Sequence, residues 1–374
     1  MAQSILIVKL SSMGDVVHTL PAAQALRRRF PEARLAWAVE RAHAGVLRGQ
    51  PFLDELIEWD RGTWRALFDF LRRIRGQRWD IAVDFQGLFR SALVVRASRA
   101  KRRIGFAPSR ELAHWSYNER IAIHERPLHA VEKSLRLVEA LGAARDLERA
   151  ADADTDVRAR AQSRFPLPIG DAERRAVDRW CADVGLDPER ERLAILNPHC
   201  RKPANIWPAE RFAELAERLI ARGVRVATCG GAASGPLCER IAAAVGVDLL
   251  RADGRFSLLE SAEFIRRAAV FVTGDTGPMH LAAAVGTPIV ALFGPADPAK
   301  TGPYASNASV LSKRLPCGPC FARRCPLGGD PPQCMVQLSV DETLAAVLQR
   351  MEGAAVDAAA DEGLATSAVF RRSA

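Results

Sequence analysis

The feature that most constrains this chain is a rhythm that occurs twice. Short apolar segments alternate with helix-period segments through the first 141 residues, the pattern lapses, and it restarts at residue 193. In the first half Ser4–Lys9, Arg34–Val39, Glu55–Trp59 and Ile81–Phe85 read as buried strands. Val16–Phe30, Trp64–Arg75, Leu88–Arg96 and His129–Leu141 read as the helices between and after them. In the second half the strands are Leu193–Asn197, Val224–Cys229, Val270–Thr273 and Ile289–Phe293. The helices there are Glu210–Arg222, Leu258–Arg267 and Pro278–Val285, and Val340–Met351 reads as a closing helix. Strands that are apolar on both faces and separated by helices belong in a parallel sheet covered on both sides. Two such runs predict an α/β chain of two Rossmann-like, doubly wound domains facing a central cleft, since ligands of such sheets sit at the carboxyl ends of the strands.

The break between the runs is Ala-, Asp- and Arg-rich (145–171), with prolines at Pro166 and Pro168. This sets the expected boundaries: an acceptor-binding domain at 1–160, a nucleotide-binding domain at 172–340, the closing helix at 341–352, and a mobile Ala-rich tail at 353–374. At 374 residues the chain is too long for one ordinary core. No apolar stretch approaches the ~20 residues of a membrane span. The short run Ser4–Lys9 meets Ser-Ser-Met-Gly-Asp instead of continuing as a signal peptide, so a cytoplasmic location is expected. A net charge of +9 calls for an anionic partner, and much of the excess lies at Arg27–Arg29, 61–75 and 90–110. Aromatics are only 6% of the chain, which argues against a nucleic-acid partner bound by ring stacking. An anionic membrane surface fits the charge better.

Several loops carry chemistry. Gly274-Asp275-Thr276-Gly277-Pro278-Met279-His280 joins a strand to a helix. Its glycines allow close backbone approach, and the helix start offers free N–H groups to a phosphate. Asp275 would orient that loop or accept from a sugar hydroxyl. Gly230-Gly231 and Phe293-Gly294-Pro295 end neighbouring strands and make the second half the nucleotide side. None is a dinucleotide fingerprint or a Walker loop. In the first half, Lys9–His18 leaves the first strand and enters a helix. Asp15 there is either a first-turn helix acid or a carboxylate placed to take a proton, and His18 reads as a helix residue. Cys317, Cys320, Cys325 and Cys334 lie within eighteen residues. Their spacing fits a structural zinc site, an iron–sulfur cluster, or a loop of reduced or disulfide-bonded thiols. Cys181, Cys200, Cys229 and Cys238 read as reduced core residues.

Ser11–His18 with Thr19-Leu20-Pro21, Asp84–Ser91, and Gly274–Ala283 with Phe293-Gly294-Pro295 resemble the heptosyltransferase family of lipopolysaccharide core assembly, glycosyltransferase family 9. The resemblance covers roughly residues 4–350, and the first two segments look most like the heptosyltransferase I branch. It implies a GT-B fold and an inverting transfer of heptose from ADP-heptose to Kdo-lipid A, with no cofactor required for catalysis. By that resemblance Asp15 is the general base. Asp275, Thr276, Gly277 and His280 are donor-binding, with Gly230 and Lys202 beside them. The acceptor is anionic and borne by the inner membrane, which makes Arg61, Arg65, Arg72 and Arg110 candidates for its carboxylate and phosphate groups. The family usually has a lysine two residues before the Trp-Pro that opens a helix. Here Trp207-Pro208 is preceded at that position by Asn205, with Lys202 or Arg201 as the nearby substitute. Other readings are a family member with another donor or acceptor, a GT-B nucleotide-sugar epimerase or hydrolase, and a non-catalytic nucleotide- or metal-binding protein.

Overall fold

The computed structural model describes residues 4–122, 128–141, 165–246, 248–313 and 315–353. The chain divides into two compact units, Met1–Pro168 and Ile169–Ala374.

The first unit is built on strands β1 (Ser4–Val8), β2 (Arg34–Glu40), β3 (Glu55–Trp59), β4 (Ile81–Asp84), β5 (Arg102–Ala107) and β6 (Glu119–Ala122). They form one sheet in the order β3-β2-β1-β4-β5-β6, and every pairing is parallel. Ile5 and Ile7 point to one face of β1 and Leu6 and Val8 to the other. All four are 0% exposed, so an alternating strand could not have served here and a continuous apolar run does. Helices α1 (Met13–Arg29), α2 (Trp64–Arg75), α3 (Phe89–Ser98) and α4 (Ala130–Ala140) complete the layers. Phe70 and Ile74 of α2 and Ala92 and Val95 of α3 pack into one core with Leu6, Val8 and Ile57.

The second unit repeats the plan. Its strands are β7 (Leu193–Asn197), β8 (Arg225–Thr228), β9 (Leu249–Arg251), β10 (Val270–Gly274), β11 (Ile289–Phe293) and β12 (Ala308–Ser312). The order is β12-β11-β10-β7-β8-β9, again parallel throughout. Counted within the unit, the central four strands and their flanks run in the same sequence as in the first sheet. Each unit is therefore a Rossmann-like doubly wound sheet with a strand-order reversal, at β1/β4 in one and β7/β10 in the other. The helices are α5 (Asp171–Asp183), α6 (Ala209–Ile220), α7 (Gly235–Val245), α8 (Leu258–Arg266), α9 (Gly277–Val285), the short α10 (Pro298–Thr301) and α11 (Gln333–Val336), and α12 (340–353). Trp207, Phe212 and Leu215 pack with Val347 and Met351 of α12 in the core of this unit.

The double alternation holds, and several elements go beyond the sequence reading. Helix α1 begins at Met13, three residues before the expected Val16. Strand β5 lies inside the basic run read at 90–110, and its Arg102 is paired with Glu119 on β6 (2.6 Å). Strand β12 carries no fully buried residue, and α5 buries only Val177 and Cys181 of thirteen residues. Neither offered an apolar pattern to read. Of the expected bridge, 145–164 lies outside the described residues, 165–170 has no regular structure and Asp171 opens α5. Of the expected tail, 354–374 lies outside the described residues.

Candidate active site

In a parallel sheet every loop that follows a strand emerges on the same edge, and a strand-order reversal parts two such loops to leave a crevice. In the first unit the loops at the reversal are those after β1 and β4. The β4 loop is fixed by Asp84, which is 0% exposed. Its Oδ1 accepts from the N–H groups of Gln86 (2.8 Å) and Gly87 (3.0 Å), and its Oδ2 from the Tyr117 hydroxyl (2.7 Å). Gly87 sits at φ 68°, where a side chain would be strained. Burial pushes the Asp84 carboxyl above its ordinary value, and the three donors pull against that shift. Burial and the neighbouring Asp84 likewise push the Tyr117 phenol far up. Gln86 then reaches across the reversal. Its Oε1 accepts from the N–H groups of Leu10 (2.7 Å) and Ser11 (3.3 Å), so the β4 loop holds the β1 loop.

Asp15 stands in the first turn of α1, directly after the loop so held. It is the third residue of α1, not its cap. Its Oδ2 accepts from the N–H (3.1 Å) and Oγ (2.8 Å) of Ser12, the N-cap. The helix-start role therefore exists in fact, and it leaves the side chain 45% exposed. Lys9, buried at 8% exposure, donates from Nζ to the Phe85 carbonyl (3.1 Å) and lies 3.6 Å from Asp15 Oδ1. One strand end thus places a buried cation behind a partly exposed carboxylate. His18 is 4% exposed and packs edge-on against His129, centroids 4.9 Å apart. Lys9, Gln86 and Tyr117 were given no role from the sequence. The Asp-x-x-Gly run at Asp84 was the available signal, since that spacing lets an aspartate bond the backbone two and three residues on.

In the second unit the reversal lies between β7 and β10. Asn197 at the end of β7 donates to Thr273 Oγ1 (2.9 Å) near the end of β10. Asp275 and Thr276 follow, Thr276 is the N-cap of α9, and Gly277 and Pro278 are its first residues. The first-turn N–H groups of this helix and its dipole make the anion-receptive feature of the unit. Gly274 is obligatory: a Cβ there would meet Cys200 Sγ at 2.6 Å and the Asn205 carbonyl oxygen at 2.9 Å. Gly230, after β8, adopts φ 149°, and a Cβ would meet Ser234 Oγ at 2.2 Å. His280 lies one turn into α9 and is 7% exposed. Asn205 is 2% exposed. Its Nδ2 lies 3.3 Å from Asp275 Oδ2 and 3.4 Å from the Asp275 carbonyl, and its buried Oδ1 has no hydrogen-bond partner. Lys202 precedes the short turn Pro203–Asn205, and its Nζ is 3.5 Å from the Phe321 carbonyl. Asp275, Thr276, Gly277, Lys202 and Gly230 thus share the carboxyl edge of one sheet.

The four arginines do not form one group. Arg61 lies 3.9 Å from Glu40, which also holds Arg90 at 2.6 Å. Arg65 is on the first turn of α2 and Arg72 seven residues further, about two turns and ~10 Å along the axis. Arg110 opens the turn after β5. Among the described residues Arg65, Arg72 and Arg110 make no ion pair.

The cysteines divide as expected into two sets. Cys181, Cys200, Cys229 and Cys238 are buried and reduced, and burial pushes the thiols of Cys229 and Cys238 up to about 12. Cys317, Cys320, Cys325 and Cys334 are also free thiols. They line one cavity of about 90 Å³ with Ala204 and Pro295. Burial, with the nearness of the other three sulfurs, raises the Cys334 thiol. Among the described residues no three Cys, His, Asp or Glu side chains stand in a metal-holding group. The zinc-site spacing at Cys317, Cys320, Cys325 and Cys334 is therefore not matched by a formed tetrahedral set in this structure.

Residues 67–329 match the family model of glycosyltransferase family 9 (heptosyltransferase). This chain belongs to that family. It is 30% identical over 349 residues to a lipopolysaccharide heptosyltransferase 1 from Pseudomonas aeruginosa, covering 86% of this chain and 87% of the relative. It is also 30% identical over 318 residues to the lipopolysaccharide heptosyltransferase 1 of Salmonella typhimurium, covering 81% and 92%. The crystal structure of a family 9 glycosyl transferase from Veillonella parvula superposes with a TM-score of 0.79 at 22% identity, over 94% of this chain and 97% of that one. The family 9 member described here is thus a glycosyltransferase of the heptosyltransferase type with the GT-B fold.

Proposed function

We propose that this family 9 member transfers L-glycero-D-manno-heptose from ADP-heptose to the Kdo of Kdo-lipid A, the first heptose of the lipopolysaccharide inner core. The observation that carries this reading is the Lys9–Asp15 arrangement: a half-exposed carboxylate in the first turn of α1, beside a strand-order reversal and braced by a buried lysine and by Ser12. The likeness to two heptosyltransferases 1 supports the acceptor.

In this mechanism Asp15 accepts the proton of an acceptor hydroxyl as that oxygen attacks the anomeric carbon. The new carbon–oxygen bond forms on the face opposite the departing group, the bond to ADP breaks, and the configuration inverts. Charge building on the leaving diphosphate is met by the first-turn N–H groups of α9 at Gly277, with the Gly274 turn letting the backbone approach. Thr276, His280 and Asp275 contact the nucleotide sugar, Gly230 leaves room beside it, and Lys202 supplies the cation that Asn205 does not. Arg61, Arg65 and Arg110 meet the anionic acceptor, and Arg72, two turns away, serves a more distant phosphate. No metal takes part. The four-cysteine loop plays a structural part, with or without zinc.

Asn205 favours a second reading, a family 9 enzyme with another donor. Its amide already bonds Asp275, so the usual lysine has no replacement at that position. Incubating the enzyme and Kdo-lipid A with ADP-heptose and with other nucleotide sugars, in chelator and without added metal, separates the two. Heptose transfer is the expected product by mass spectrometry. Turnover confined to another donor would keep the fold and discard the donor assignment.

A further inference from the structure

The backbone ladder between β1 and β4 stops one residue after the Val8–Asp84 register pair, at the bond from the Phe85 N–H to the Val8 carbonyl (3.0 Å). Continued in register, a parallel ladder would next join the Leu10 N–H to the Phe85 carbonyl, and the Gly87 N–H to the Leu10 carbonyl. Neither bond forms. Asp84 Oδ1 takes the N–H groups of Gln86 and Gly87 and turns the β4 chain aside.

Each group that lost its backbone partner there is met by another. Lys9 reaches from the β1 side, with Nζ on the Phe85 carbonyl (3.1 Å). Gln86 reaches back from the β4 side, with Oε1 on the N–H groups of Leu10 (2.7 Å) and Ser11 (3.3 Å). The Leu10 carbonyl accepts from the Glu40 N–H of β2 instead (3.0 Å). Lys9 and Gln86 thus replace one backbone rung with two crossed side chains. Gln86 Nε2 lies 3.3 Å from Ser11 Oγ. The reversed amide would set its NH2 against two N–H donors, so the bonding pattern fixes its orientation.

The crossed pair leads directly to Asp15. Ser12 follows the held peptide as the N-cap of α1, and its N–H and Oγ bond Asp15 Oδ2. Lys9 stands 3.6 Å from Asp15 Oδ1. Gln86 therefore sets where α1 starts, and Lys9 sets the charge beside the carboxylate.

We infer that Gln86 is a positioning residue for the transfer: its side chain stands in for the missing β1–β4 rung and so fixes the Asp15 carboxylate. The inference rests on the reading of Asp15 as the base.

Steady-state transfer by Gln86→Met, Gln86→Glu and the double variant Lys9→Met/Gln86→Met tests it, using the nucleotide sugar that the parent turns over. Methionine keeps the length of the side chain and removes both polar atoms. It should lower kcat on the order of 10- to 100-fold, with donor KM and the ADP-induced thermal shift unchanged. Glutamate keeps an acceptor for the Leu10 and Ser11 N–H groups and should recover part of the loss. The double variant should lose less than the product of the two single losses, because both side chains act through one rung. Hydrogen exchange over residues 9–12 should be faster in Gln86→Met. Parental kcat in Gln86→Met, a loss carried by donor KM, or fully multiplicative losses in the double variant would overturn the proposal. Asp15→Asn separates the two readings. If it transfers at the parental rate, the base assignment falls and this inference with it. If it is inactive while Gln86→Met is unimpaired, only the role of Gln86 falls.

Discussion

At the scale of single residues, the first half-site depends on buried charge. Lys9 is not in a position to meet solvent, and its ammonium is shared between the Phe85 carbonyl and Asp15. If it positions the base, Lys9→Met lowers kcat by on the order of 10- to 100-fold with KM for the donor little changed, and Lys9→Arg restores part of the loss. Steady-state kinetics on folded variants separates this from simple instability, which would lower the active fraction without rescue by arginine. Asp84 makes a different prediction. Its carboxyl is pushed up by burial, so the charged form is disfavoured in the folded state. The stability this group contributes is complete below its ordinary value of 3.8 and is lost as pH rises through its higher folded value. Asp84→Asn can still accept from Gln86 and Gly87 and has no charge to bury. Its stability relative to the parent, by urea unfolding across a pH series, should therefore improve as pH rises from about 3 toward 7. A constant difference across that range would show that the raised value does not govern Asp84.

At the scale of elements, the glycines and the helix starts determine where ligands can approach. Gly274 ends β10 against Cys200 and the Asn205 backbone. Gly274→Ala should cost about 1–3 kcal/mol by overpacking, read as a lower denaturation midpoint, and should weaken ADP binding more than acceptor binding. The central strands and most helices were legible in the sequence, because β1, β2, β7, β10 and β11 are apolar on both faces and leave a continuous run. Edge elements were not. β5 and β6 hide behind a salt-bridged arginine, β9 is only three residues long, and β12 has no fully buried side chain. The candidate loops were legible for a related reason: glycine and proline mark strand ends. Lys9, Gln86 and Tyr117 were not, since their significance lies in bonds to residues far along the chain. A helix-start role for Asp15 was legible as an alternative to catalysis, and the structure has Asp15 accepting from the Ser12 N–H while its side chain stays partly exposed.

At the scale of the whole molecule, two sheets of the same strand order present different side chains at their carboxyl edges. The first presents a carboxylate, a buried lysine and arginines. The second presents a glycine-turn and helix start suited to a diphosphate. Within each, the reactive loops leave the carboxyl edge at the strand-order reversal. Among the described residues no helix is long and apolar enough to cross a membrane. The account stands or falls on Asp15. The most direct measurement is single-turnover heptose transfer by Asp15→Asn beside the parent enzyme, with the thermal shift caused by ADP recorded on both. The variant should keep the ADP-induced shift and lose transfer by on the order of 100- to 10,000-fold. Transfer at the parent rate, with the shift intact, would contradict the assignment and leave Asp15 as a helix-start acid only.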